Sequence, residues 1–88
     1  MRTVELLDQL IALAERMGYQ LRYEPLAGSG GGVCEFAGSK WLFVDLGLSV
    51  LERLDLLTEA LAADPSLPVT DLNIDLKRQL GLPVNTAA

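Results

Sequence analysis

The stretch from Tyr19 to Leu46 constrains the fold more than any other part of this chain. Tyr19, Leu21 and Tyr23 alternate with Gln20, Arg22 and Glu24, the two-residue period of a strand with one wet face, and Pro25 stops it. Gly28-Ser29-Gly30-Gly31-Gly32 then forms a loop, and two more strands are expected at Val33 to Ala37 and Lys40 to Asp45 or Leu46. Gly38-Ser39 between them suits a two-residue type II′ turn, with glycine at the first central position. That turn sets a register in which Phe36 faces Trp41 and Cys34 faces Phe43, while Glu35 faces Leu42 and Val33 faces Val44 on the other side. The aromatic side is the expected core.

Helices flank this segment. Leu6, Leu7, Leu10, Ile11, Ala14 and Met17 recur at three-and-four spacing from about Val4 to Met17, with Thr3 as the expected cap and Gly18 as the stop. Ser49-Val50-Leu51-Glu52 is a capping box opening a second helix through about Ala63, along which Val50, Leu54, Leu57 and Leu61 align. Asp64-Pro65-Ser66-Leu67-Pro68 breaks the chain. Beyond it, Thr70, Leu72, Ile74 and Leu76 alternate like a strand, whereas Leu72, Leu76 and Leu80 keep helical spacing up to Gly81. The helical reading is adopted. The expected architecture is a single α+β domain over residues 1–82, ordered helix, three-stranded antiparallel meander, two helices, with residues 83–88 as a fraying tail.

At 88 residues there is room for one modest core, yet half the residues are apolar. Part of that surface is expected to meet another chain, either a second copy or a protein partner. No apolar run approaches the roughly 20 residues that cross a bilayer, and the N-terminal pattern carries no uninterrupted apolar segment of a secretory leader. Together with a single cysteine, which has no internal partner for a disulfide, this gives the expectation of a cytoplasmic protein. Twelve acidic residues against seven basic ones leave a net charge of −5, which disfavours nucleic acid as a partner.

The residue inventory excludes more chemistry than it supports. With no histidine and one cysteine, metal ligation falls to carboxylate oxygens alone, and Glu52, Asp55 and Glu59 on one helix face form no metal-binding pattern. Neither a metal nor a cofactor is expected. Cys34 has no base to activate it and is expected to sit buried opposite Phe43; a thiol function is its alternative. The amides of Gly28, Gly30, Gly31 and Gly32 could form an anion nest with Arg22 or Lys40, but the loop leads into a strand rather than a helix and lacks the spacing of a phosphate loop. Trp41 is weighed as core against interface anchor. Val33, Leu42 and Val44, on the side away from the expected core, complete the candidate interface, because one helical layer does not cover two sheet faces.

The string Arg22-Tyr23-Glu24-Pro25-Leu26, followed by Gly31-Gly32-Val33-Cys34, Gly38 and Val44-Asp45, resembles a group of short bacterial proteins, a resemblance that implies no activity. Over about residues 5 to 63 the element order is also similar to the opening half of the ImmA/IrrE-type zinc metallopeptidases. Their H-E-x-x-H would fall on Thr58, Glu59, Ala60, Leu61 and Ala62, of which only Glu59 matches. A glutamate without the two histidines neither holds zinc nor activates its water, so the peptidase activity does not carry over. The expected function is that of a non-enzymatic interaction or self-associating module, with ligand or phosphate binding at the glycine loop as the alternative.

Overall fold

A computed structural model describes residues 2–84. The order is α1 (Thr3–Arg16), β1 (Tyr19–Glu24), β2 (Gly31–Phe36), β3 (Ser39–Asp45), α2 (Val50–Ala62), a 3-10 turn (Val69–Asp71) and α3 (Ile74–Gln79). The α+β class stands, but the sheet is not an antiparallel meander. Its strand order is β1-β3-β2, with β3 central, β2 antiparallel to it and β1 parallel to it. The segment 25–30 therefore has to swing across the end of β3 before β2 can begin. The expected tail lies, from residue 85 onward, outside the described residues.

Local signals explain the elements. The capping box is complete, with the Glu52 amide donating to Ser49 Oγ at 3.2 Å and the Ser49 amide to Glu52 Oε1 at 2.9 Å. α1 begins at Thr3 itself, so Arg2 occupies the cap position and no side chain caps the helix. In the tail the Asn73 side chain accepts from the Leu76 amide at 2.9 Å and starts a helix of only six residues. Leu72, Leu76 and Leu80 are buried, as helical spacing requires.

The hairpin differs from the expected one by a shift of two residues. Ala37 (φ 53°) and Gly38 (φ 80°) form the turn, both with positive φ as a type I′ turn requires. Phe36 then pairs with Ser39, Cys34 with Trp41, and Val33 with Leu42. A two-residue shift keeps every side chain on its face, so the larger correction concerns which face is covered.

α1 and α2 pack on the side carrying Tyr19, Leu42 and Val44, and Leu42 and Val44 are fully buried against Leu10, Leu13, Leu57 and Leu61. α3 packs on α1 rather than wrapping to the other side. The candidate interface residues Leu42 and Val44 are thus core, while Val33, at the sheet edge, stays 46% exposed. The expected aromatic core is instead the uncovered face: Cys34 is exposed, Phe36 is 72% exposed, and Trp41 and Phe43 are half-buried. Among the described residues no helix is long and apolar enough to cross a membrane.

Candidate interaction face

The two-residue period of β3 sends Leu42 and Val44 into the core and Trp41 and Phe43 to the opposite side. Neighbouring strands complete that side. β1 sets Arg22 beside Phe43 and Gln20 beside Trp41, and β2 sets Cys34 beside Trp41 and Gly32 beside Phe43. The Trp41 and Phe43 rings stack with centroids 6.3 Å apart and planes 25° from parallel. The Arg22 guanidinium carbon lies 6.0 Å from the Trp41 ring centroid, and Arg22 Nη2 donates to Glu24 Oε1 at 2.7 Å. Arg22, Cys34, Phe36, Trp41 and Phe43 line an open depression of about 240 Å³. It has aromatic area in its middle, and at its rim a cation held by Glu24.

The glycine loop has a different task. Asp45, at the end of β3, is only 3% exposed and turns its carboxylate into the loop. Oδ1 accepts from the Gly47 amide at 3.0 Å and the Leu26 amide at 3.2 Å, and Oδ2 from the Gly28 amide at 2.8 Å. These amides, Gly47 foremost and then Leu26, hold the carboxyl below the usual carboxylate range. A nest that the chain fills with its own carboxylate presents negative charge to any incoming phosphate. The remaining members of that candidate site do not converge on it either: Arg22 lies on the aromatic face and Lys40 on the helix-covered side.

Lys40 belongs to a second cluster that the sequence did not announce. Tyr19, Lys40, Asp64 and Ser66 line a cleft of about 640 Å³ where the sheet meets the end of α2. Asp64 Oδ2 accepts from the Tyr19 hydroxyl at 2.5 Å and from Lys40 Nζ at 3.0 Å, while Oδ1 accepts from the Ser66 amide and hydroxyl, both at 2.8 Å. Lys40 Nζ also sits 4.6 Å from the Tyr19 ring centroid. The Tyr19 hydroxyl leads in holding the Asp64 carboxyl far below the carboxylate range, against the opposing effect of burial. Burial and then the Asp64 hydrogen bond push the Tyr19 phenol up to about 12. Every polar group here has an internal partner, so the cluster ties β1 and β3 to the loop after α2. Asp64-Pro65-Ser66 reads in sequence as a breaker, and its partners are distant in the chain, which left this tie invisible.

The linkage has a definite sign on each side. Asp64 has a depressed folded pKa, so its contribution is present above the unfolded carboxylate range and is lost as pH falls toward the folded value. Tyr19 has a raised folded pKa, so its contribution is present below about pH 10, the unfolded value, and is lost as pH rises through about 12. Melting temperature is accordingly expected to hold a plateau between about pH 5 and 10 and to fall on both sides. In Tyr19→Phe the alkaline fall should shrink and the acid fall with it, because the phenol is the leading partner of Asp64, and in Asp64→Asn both falls should shrink too; unchanged limbs in both variants would refute the tie.

Of the residues aligned with the metallopeptidase motif, Glu59 is exposed on α2. The Thr58 hydroxyl donates to the Leu54 carbonyl at 2.7 Å and accepts from Gln79 at 2.8 Å, joining α2 to α3. Among the described residues no three acidic, cysteine or histidine side chains cluster as metal ligands. No protein-family model, curated protein or solved structure matches this chain at a significant level.

Proposed function

We propose that this chain is a non-enzymatic protein-interaction module that docks through the open aromatic face of its sheet. One observation carries the reading: a two-layer fold buries Leu42 and Val44 and leaves Trp41, Phe43 and Phe36 without a covering layer. Aromatic residues of this kind anchor interfaces because they remove much apolar area from water and lose few rotamers in doing so. Arg22, braced by Glu24, is placed to grip a partner backbone or carboxylate at the rim.

Native mass spectrometry of the untagged chain, gently isolated from its own cells, tests this. The expected result is a multiple of the 9.5 kDa chain mass or a stoichiometric second protein, lost when Trp41, Phe43 and Phe36 are replaced together by alanine while the circular dichroism spectrum is retained. A bare monomer at every concentration, or a complex indifferent to Trp41, Phe43 and Phe36 substitution, would overturn it.

A further inference from the structure

Among the described residues β2 is an edge strand, hydrogen-bonded to β3 on one side and to no strand on the other. Antiparallel ladders alternate between hydrogen-bonded and non-hydrogen-bonded pairs. The Asp45 amide donates to the Gly30 carbonyl at 2.9 Å, which fixes the phase of this ladder. Gly32, Cys34 and Phe36 therefore turn their amides and carbonyls inward to β3, while those of Gly31, Val33 and Glu35 point outward from the sheet. Edge strands are commonly guarded by lysine, proline or a covering segment. β2 contains neither residue, Glu35 is its one charged side chain, and every position along it except Gly32 is exposed.

The geometry points to a second copy of this chain as the occupant of that edge, with the two β2 strands antiparallel about a two-fold axis at Cys34 and the two sheets joined into one of six strands. The inference rests on the interaction-module reading and adds the partner and the register. Outward-pointing residues must meet, so Val33 of each copy stands opposite Glu35 of the other, and each such pair exchanges two backbone hydrogen bonds. Cys34 then faces Cys34 of the second copy in a non-hydrogen-bonded pair, and Phe36 faces Gly32 of the second copy.

This last pairing selects the register. Gly32 leaves the edge beside Phe43 without a side chain, while Phe36 stands 72% exposed on the same face of the same strand. The two-fold axis puts each Phe36 over the other copy's Gly32, where it reaches the neighbouring Phe43 ring, and it does so twice by symmetry. An axis at Val33 would place Phe36 opposite Gly30, beyond the strand. Pairing of two six-residue edges buries less than the roughly 1,600 Å² of a standard interface, so the dimer should be weak and concentration-dependent. It also lays the two Trp41 and Phe43 pairs side by side on one continuous face, which remains open to a further partner.

Cys34 serves as the probe of this geometry. A non-hydrogen-bonded pair holds Cα atoms about 4.5 Å apart, within the span of a disulfide. Diamide takes two protons and two electrons from two thiols to form one disulfide, and is itself reduced to the hydrazine. The expected product is a covalent dimer at twice the 9.5 kDa chain mass, formed at least ten-fold faster at high than at low chain concentration and reversed by dithiothreitol. Val33→Pro removes an outward-pointing amide and leaves the β3 ladder intact, so it should slow cross-linking at least ten-fold with the sheet retained; Val33→Lys should do the same if the proline variant fails to fold. A dimer that survives both variants and leaves Cys34 uncross-linked, yet is lost in Trp41→Ala, overturns the edge pairing and keeps the aromatic-face reading. A chain that is monomeric by sedimentation and bound to a different protein overturns it likewise, and a bare monomer without any partner sinks both.

Discussion

Gly31→Ala is expected to cost about 3 kcal/mol or more and to lower the melting temperature by roughly 12 °C or more, the largest effect of any alanine placed at one of the described glycines. Gly31 opens β2 at φ 124°, and a Cβ built on it would lie 2.0 Å from the Phe43 carbonyl oxygen and 2.8 Å from its carbonyl carbon. Those are backbone atoms of the central strand, so no side chain can swing aside to relieve the clash. A domain of this length has a total stability of about 4 to 13 kcal/mol, so the variant loses a large fraction of it. Gly38→Ala is the control, because Gly38 sits at φ 80° in the hairpin turn with nothing within 4 Å of its Cβ position. It should cost about 1 kcal/mol of backbone strain alone. Thermal unfolding followed by circular dichroism separates the two, and equal melting temperatures would show that β2 does not pass this close to Phe43.

The second large effect comes from two adjacent residues with opposite fates. Leu42 is fully buried at the centre of the sheet, so Leu42→Ala should cost about 2 to 5 kcal/mol through lost transfer energy and the cavity left behind. Trp41→Ala removes a much larger side chain, but one half-buried on the open face, where it stacks on Phe43 and meets Arg22. About 1 kcal/mol is expected for that change. Were Trp41 the core residue that the sequence pattern favours, the cost would be about 3 to 5 kcal/mol and the order of the two variants would reverse. Urea titration at a single protein concentration reads both values directly.

The same pair shows what the sequence carried and where it stopped. Period two sorted β3 into a Leu42/Val44 side and a Trp41/Phe43 side, and that sorting holds. Both sides are apolar, however, and the choice of the one to cover depends on where α1 and α2 return, which is set by tertiary packing rather than by any local signal. Elements fixed within a few residues were legible: the Ser49–Glu52 box, the apolar stripe of α1 and the existence of the hairpin. The turn slipped because Ala37 adopts a positive φ, an uncommon conformation for a residue with a Cβ, where a glycine-first turn was the natural reading. The parallel β1–β3 pairing has no local signature: the segment 25–30 that carries the chain past β3 is held by Asp45 accepting from the Leu26 and Gly28 amides, contacts that span up to 19 positions of the chain. In the candidate site, the sequence pattern draws attention to Trp41 and Cys34 but puts their face in the core together with Phe36 and Phe43, whereas Cys34 and Phe36 are exposed and Trp41 and Phe43 half-buried.

Trp41 is the only tryptophan, which makes it a reporter for the claim on which the functional account rests. The deciding measurement is acrylamide quenching of its fluorescence in the folded chain at high dilution. Substantial quenching of a red-shifted emission, falling and shifting to the blue as a partner protein is added, is the predicted result. A blue-shifted tryptophan shielded from acrylamide in the dilute folded monomer would contradict it, because the aromatic face would then be the core and would have nothing to offer a partner.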